Sequence, residues 1–288
     1  MIRHTQYKSL NPPQVKARLE EFFKEDNVSK DITTTITQIK NQDVQAVIYA
    51  KEKMVFAGRE IITQAFNNCR ILRIENDGEH ILKGQSIAVI QGPIRTILTK
   101  ERVVLNLLQR LSGIASKTNN LIKITAPHNI QLLDTRKTTP GLRMFEKFAV
   151  YIGGGTNHRS SLSDAIMIKD NHLTGNLDIL LATHAAHKKH PNKDIQLEVD
   201  KREQLDIALE SSATSILLDN FKPDKLGEIV NYIRAHKNGG FLYIELSGGI
   251  TEHTLDQYCI EGINGISMGS LTHNVKSMDI SLDIQEIK

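Results

Sequence analysis

Residues 195–220 read IQLEVDKREQLDIALESSATSILLDN. Two apolar runs, IQLEVD and SILLDN, flank KREQLDIALESS, whose apolar residues recur at helical spacing. A strand, an amphipathic helix and a second strand predict a βα unit with parallel strands and a right-handed crossover. The same grammar extends in both directions, through IQLLD (130–134), AIMIKD (165–170), LYIELS (242–247) and INGISMG (263–269), with PDKLGEIVNYIRAHK (223–237) as another helix. Each run is apolar in its body and polar at its C-terminal end: Asp134, Lys169, Glu198, Asp219, Glu245 with Ser247, and Ser267. Polar residues at the C-terminal strand ends line the active-site mouth of a (β/α) barrel. An open doubly wound sheet would gather them at one switch point instead. The runs number six where a full barrel has eight, so the barrel is expected to be incomplete.

The residues before Ile130 follow a different pattern. PPQVKARLEEFFKED (12–26) sets Val15, Leu19, Phe22 and Phe23 at helical spacing behind two prolines. VQAVIYAKEK (44–53) reads as a strand and GREIITQAFNNC (58–69) as a helix. RILRIENDGEHILKGQSIAVIQGP (70–93) reads as short strands punctuated by Gly78, Gly84 and Gly92. A long amphipathic helix follows from about Thr96, with Gly113 inside it. This mixture predicts a small α+β domain ahead of the barrel.

Charge is nearly balanced, 36 basic residues against 33 acidic, and only 5% of residues are aromatic, without tryptophan. Both facts weigh against a nucleic-acid binder, which relies on many phosphate contacts and on stacking. The opening MIRHTQYKSLNPP has no apolar core of a signal segment, and no apolar run is long enough to span a bilayer. A soluble cytoplasmic chain that meets neither membrane nor nucleic acid is the expectation. Cys69 and Cys259 have no CxxC spacing, which fits a reducing compartment and thiols lining the core.

Any strong positive field must then be local, and DTRKTTPGLRMFEKFAV (134–150) is where it falls. Arg136, Lys137, Arg143 and Lys147 face only Asp134 and Glu146 in this stretch. With Arg159 and Lys169, and with His158 and His172 nearby, Arg136 and Lys137 form a cationic set suited to a ligand with several carboxylate and phosphate charges. Lys169 at a strand end is also the candidate for Schiff-base chemistry, which needs a pKa lowered by an apolar pocket; the crowd of anion-binding partners makes this the minor option. Two glycine loops, SGGI (247–250) and SMGSLTH (267–273), follow the last two strands, where barrels commonly bind phosphate. Glu198 and Asp219 end neighbouring strands. They could hold Mg²⁺, stabilise positive charge on a sugar ring, or serve only as ion-pair partners of the cations. Gly153-Gly154-Gly155 matches no nucleotide fingerprint and signals only close backbone approach. HAAHKKH (184–190) reads as a solvated helix end, since His190 swings away from the face shared by His184 and His187.

Taken together, ERVVLNLLQRLSGIAS, DTRKTTPGLRMFEKFAV, GGGTNHRSSLSDAIMIKDNH, LEVD, LLDNF, LSGGI and SMGSLTH resemble the quinolinate phosphoribosyltransferase family in order and spacing, over nearly the whole chain. Leu246 before SGG and Ser160-Ser161 after NHR are small departures. The resemblance implies an α/β chain: an N-terminal α+β sandwich domain (1–112), then an incomplete (β/α) TIM-like barrel (113–288), with residues 277–288 able to pack back on the first domain. It implies a Mg²⁺-dependent transfer from 5-phosphoribosyl 1-pyrophosphate to quinolinate, with decarboxylation to nicotinate mononucleotide in de novo NAD biosynthesis. It assigns Arg102, Thr135, Arg136, His158, Arg159 and Lys169 to quinolinate, with Arg102 delivered by the partner of a homodimer that could assemble further into hexamers. Catalysis falls to Lys137, Glu198 and Asp219, and Glu198 and Asp219 also meet the metal, directly or through the pyrophosphate. Lys137, Lys169, Glu198, Asp219, Ser247, Gly248, Gly249, Ser267, Met268, Gly269 and His273 take the ribose and phosphates. A paralogue with another acceptor, or a barrel that merely binds anions, remains open at this point.

Overall fold

The computed structural model describes residues 4–169, 172 and 178–285, so Asp170 and Asn171 of the AIMIKDNH stretch lie outside the described residues. The chain divides into two units.

One unit comprises Tyr7–Asn119, Met144–Gly154 and Asn274–Lys288. Its helices are α1 (Pro12–Glu25), α2 (Ile32–Thr37), α3 (Arg59–Ala65), most of α4 (Ile94–Thr125) and most of α5 (Arg143–Ile152). Helix α1 starts where the sequence places it: Asn11 Oδ1 accepts from the Gln14 N–H at 3.2 Å, and Pro12 and Pro13 occupy positions that have no need of a donor. Val15 and Leu19 point inward from it. The sheet has the order β12-β1-β5-β3 and is antiparallel throughout, built from β1 (Asp43–Ala50), β3 (Arg70–Ile74), β5 (Ser86–Pro93) and β12 (Ile280–Gln285). Two short strands, β2 (Met54–Val55) and β4 (His80–Ile81), form a separate pair.

Helix α4 explains its own unusual residues. Ser116 Oγ and Ser112 Oγ are buried and accept from the N–H groups of Val55 (2.8 Å) and Ala57 (3.2 Å), satisfying backbone that the β2–β4 pair leaves over. Gly113 costs the helix about 1 kcal/mol relative to alanine. Its reason is space, because a Cβ there would lie 2.4 Å from the carbonyl oxygen of Lys276. Gly153 is likewise a packing glycine, with a Cβ position 2.4 Å from the carbonyl of Ala115. Glu146 and Lys147, counted above with the cationic stretch, are fully buried in this unit on α5, and Glu146 Oε1 accepts from Arg110 Nε at 2.7 Å and Nη2 at 2.6 Å. They do not belong with the exposed cations.

The other unit comprises Met1–Gln6, Asn120–Arg143 and Gly155–His273. Its six strands are β6 (Gln131–Leu133), β7 (Ile166–Ile168), β8 (Ile195–Val199), β9 (Ser215–Asp219), β10 (Tyr243–Ser247) and β11 (Gly265–Ser267). All the ladders are parallel, in the order β6-β11-β10-β9-β8-β7. The first strand therefore lies beside the last, as in a barrel, yet β6 and β7 do not pair with each other. Thr156 makes a parallel bridge to Leu133 on the free edge of β6. The expected incomplete barrel is what forms. Helices α6 (Ile179–Lys189), α7 (Leu205–Glu210) and α8 (Pro223–Ala235) alternate with the strands, and the single-turn α9 (Ser270–His273) follows β11. Strands buried on both faces need apolar residues at most positions, which is why each appeared as a mainly apolar run.

His184, His187 and His190 are all exposed at the end of α6. Cys69 and Cys259 are half-buried free thiols rather than members of the core. Among the described residues no helix is long and apolar enough to cross a membrane.

Inside the barrel, a Cβ on Gly265 would lie 2.3 Å from the Tyr243 hydroxyl and 2.6 Å from Leu133 Cδ1. Tyr243 cannot swing aside freely, because its hydroxyl donates to Gln131 Oε1 at 2.7 Å. Gly265→Ala is expected to lower stability by about 1–3 kcal/mol through overpacking, read as a shifted midpoint in urea unfolding.

Candidate active site

The strand registers bring the polar strand ends to one rim. Ser247 pairs with Asp219, Ser267 with Leu133, and Glu198 with Leu217. Loops after β6, β10 and β11, with the 157–159 segment and the residue after β7, carry the cations and glycines around this rim.

The loop after β6 is anchored by Asp134, which is fully buried. Its carboxylate accepts from Asn157 Nδ2 at 2.7 Å and from the His158 N–H at 2.8 Å, fastening the 157–159 segment to the end of β6. Thr135 Oγ1 accepts from the Lys137 N–H at 3.0 Å and tightens the turn beyond it. Arg136 Nε is buried and meets no hydrogen-bond partner among the described residues. A buried donor left over in this way marks a place for an acceptor that comes from outside the fold.

Arg159 stands opposite in chemistry. It is 7% exposed, donates to the Ala165 carbonyl at 3.2 Å, and has only the thioether of Met167 at 3.3 Å on Nη2. Burial, and then the charge of Arg136, push its guanidinium below the usual arginine range. Two guanidinium groups that repel each other, with donors to spare, favour an anion between them.

Lys169 Nζ pairs with Glu198 Oε2, and the Lys169 N–H donates to His172 Nδ1 at 3.0 Å. Asp219 Oδ2 accepts from Asn220 Nδ2 at 2.6 Å. Asn220 sits at φ 60° and Gly248 at φ 87°, and a Cβ on Gly248 would fall 2.3 Å from Asn220 Oδ1, so only glycine serves there. Gly249, at φ 64°, faces open space.

The third loop is stitched to the first. The Met268 N–H donates to the Leu133 carbonyl at 2.9 Å, and Thr272 Oγ1 donates to the Lys137 carbonyl at 2.7 Å. A Cβ on Gly269 would lie 2.8 Å from Lys137 Cδ and 3.1 Å from His273 Cδ2. Glycine at 269 thus lets an exposed lysine and a histidine converge over one backbone turn.

Beneath the rim lies a buried polar row, and Glu245, expected at the mouth, belongs to it instead because it sits in the body of β10. Glu245 is fully buried, accepts from Gln196 Nε2 at 2.8 Å, and has His158 Nε2 3.3 Å away. Burial pushes the Glu245 carboxyl up, but the His158 charge and the hydrogen bonds of His158, Ser267 and Gln196 outweigh it and hold the group below its ordinary value. His158 is itself buried, its Nδ1 accepts from the Arg159 N–H at 2.8 Å, and the His4 ring packs on it at 4.5 Å. Gln6 binds both sides of the Asn157 peptide, at 2.8 and 3.0 Å. The available signal was a glutamine and a glutamate in the bodies of apolar runs, where an unpaired polar group is not tolerated. Arg102 lies on α4 in the other unit, its side chain 64% exposed and 3.9 Å from Glu101.

The C-terminal-domain model of quinolinate phosphoribosyl transferase matches residues 114–283, and the N-terminal-domain model matches residues 31–112. The chain belongs to this family. It is 41% identical over 280 residues to the probable nicotinate-nucleotide pyrophosphorylase (carboxylating) of Bacillus subtilis, covering 96% of this chain and 95% of that one. With the nicotinate-nucleotide pyrophosphorylase (carboxylating) of Mycobacterium leprae it shares 35% over 260 residues, 88% of this chain and 91% of the other. The solved nicotinate-nucleotide pyrophosphorylase of Francisella tularensis superposes with a TM-score of 0.91 at 32% identity, over 98% of this chain and 100% of that chain.

Gly269→Ala is expected to fold normally, since the obstructing Lys137 stem is flexible, but to displace that stem. Titration calorimetry with pyrophosphate should show affinity several-fold weaker than wild type; unchanged affinity would detach Lys137 from anion binding.

Proposed function

We propose that this chain transfers the phosphoribosyl group of 5-phosphoribosyl 1-pyrophosphate to quinolinate and decarboxylates the adduct, yielding nicotinate mononucleotide, pyrophosphate and CO₂ for NAD biosynthesis. The observation that carries this reading is the pair of guanidinium groups, half-buried Arg136 with a buried, unpartnered Nε and buried Arg159 with a thioether for one partner. Quinolinate is a dianion with adjacent carboxylates, and it suits two forks better than a monocarboxylate would.

In this scheme Arg136, Arg159 and Lys169 hold the carboxylates, with Thr135 and His158 supporting them. The Ser247-Gly248-Gly249 and Ser267-Met268-Gly269 turns, with His273, receive the 5′-phosphate. Lys137 sits between quinolinate and the pyrophosphate. The pyridine nitrogen bonds to the ribose C1′ as the C1′–oxygen bond to pyrophosphate breaks, and the electron pair leaves with pyrophosphate. Positive charge develops on the ribose, where Glu198 and Asp219 stabilise it in a partly water-excluded site. Loss of CO₂ leaves an electron pair on the ring carbon beside the new pyridinium nitrogen. That cation stabilises the pair until a proton replaces the carboxylate, so no proton-abstracting dyad is needed.

Glu198 and Asp219 suit Mg²⁺ that arrives with the pyrophosphate. Two carboxylates at neighbouring strand ends match a cation that takes one or two protein oxygens and fills its shell from phosphates and water. Bound there, Mg²⁺ would neutralise charge on the leaving group. In the described residues no group of three or more metal-binding side chains forms a cage.

Incubation with quinolinate, 5-phosphoribosyl 1-pyrophosphate and Mg²⁺ should release CO₂ and nicotinate mononucleotide in equal amounts. Glu198→Gln and Asp219→Asn should lower kcat more than they raise either KM, because their charge matters most once the ribose turns cationic. Raised KM with intact kcat would make them binding residues only.

The exposed Arg102 is assigned to the site of a second copy in a two-fold dimer. An Arg102→Ala chain and a Lys137→Ala chain should each be inactive alone. After mixing and subunit exchange, roughly a quarter of sites should recover, since a two-fold dimer forms two composite sites and only one is doubly damaged. Absence of recovery despite demonstrated exchange would remove Arg102 from a shared site.

A further inference from the structure

Arg143 stands in the same cationic stretch as Arg136 and Lys137, but its guanidinium is spent on the protein. Nε donates to Thr138 Oγ1 at 3.0 Å, Nη1 to the Ser160 carbonyl at 2.9 Å, and Nη2 to the Arg136 carbonyl at 3.5 Å. Each acceptor is uncharged, and the three come from two different loops. One acceptor is the carbonyl of Arg136 itself. Another belongs to Ser160, the residue after Arg159.

Both ends of this tie are fixed. The Ser160 end is held by Asp164, whose carboxylate accepts from the Ser160 N–H (2.8 Å), Ser160 Oγ (2.7 Å), the Ser161 N–H (3.0 Å) and Ser161 Oγ (2.5 Å). Lys193 Nζ closes the same turn from outside through the carbonyls of Ser163 (2.9 Å) and Asp164 (3.1 Å). At the other end, the Arg136 carbonyl also accepts from the Thr138 N–H at 2.9 Å.

We propose that Arg143 is a positioning residue, a planar brace that sets the separation between the Arg136 loop and the Arg159 loop and so matches the two guanidinium groups to adjacent carboxylates. The brace rests on the function proposed above and adds a determinant of acceptor specificity to it. Only arginine can serve, because three nitrogens in one rigid plane reach three acceptors at once; a lysine ammonium is a single point on a flexible stem.

Arg143→Lys keeps the charge and removes the brace, so it separates field from geometry. Its dissociation constant for quinolinate should rise roughly tenfold or more, the consequence of misplacing charge-assisted hydrogen bonds. Affinity for ribose 5-phosphate should stay within about twofold, as the Ser247–Gly249 and Ser267–Gly269 turns proposed for the 5′-phosphate lie outside the brace, whereas Lys137 lies within it. In steady state, KM for quinolinate should rise more than kcat falls. Thr138→Val, which removes one acceptor only, should shift quinolinate affinity in the same direction by less, and it carries the test alone if Arg143→Lys does not fold. Equal losses for both ligands, or no loss for quinolinate in folded variants, would overturn the brace. Wild-type chain that fails to bind quinolinate would sink the functional reading and the brace together; wild type that binds, beside variants that bind equally well, sinks the brace alone.

Discussion

A single buried carboxylate organises the candidate site. Asp134 ends the first strand of the barrel with no exposed surface, and its two oxygens take the Asn157 side chain and the His158 N–H. A charge in that position is tolerated only while it is hydrogen-bonded, so the 157–159 segment has little freedom to leave. Everything that gives the rim its positive character follows from this. Arg136 comes two residues after Asp134 on one side of the contact, and Arg159 comes one residue after His158 on the other. Gln6 grips the far side of the Asn157 peptide, so the segment is held from both directions.

Lys169 is paired, while Arg136 and Arg159 have no carboxylate partner among the described residues because the nearby acids are engaged elsewhere. Asp164 is taken up by the serines of its own turn, Glu245 by Gln196 and His158, and Glu198 by Lys169. Arg136 and Arg159 are left facing each other's charge. The fold thus holds a repulsion in place whose relief is the binding of an anion, and the bonds that hold it are several residues removed from the ligand.

The six strands were legible because parallel strands with both faces covered demand mainly apolar residues, which SILLD supplies nearly throughout and IQLEV supplies apart from Gln196 and Glu198. Their cyclic order was legible only as a class of fold; that β6 pairs with β11 and leaves β7 unpaired on one edge depends on packing that no local pattern encodes. At the site, charge and position were legible but direction was not. Arg136 and Arg143 look alike in DTRKTTPGLR, yet one has a buried nitrogen without a partner and the other is tied to three protein oxygens. Glu146 and Lys147 lie a few residues further along and are buried in the other unit. His158 reads as a neighbour of the cationic set, and it packs under His4 and against the buried Glu245. Sequence spacing fixes which residues arrive at a strand end, while the side each one faces is decided by partners distant along the chain.

The strand β12 has a consequence for how the molecule is made. It runs along β1 from Gln45↔Gln285 to Ala50↔Ile280, and it is separated in the chain from β1 by every element of the barrel. During synthesis the ribosome delivers β1, β5 and β3 long before their fourth neighbour exists. Through that interval the apolar strand DVQAVIYA is an open edge, the kind of surface that recruits other chains. The first unit to emerge is therefore the last to be finished, and the barrel is threaded between its opening and its completion.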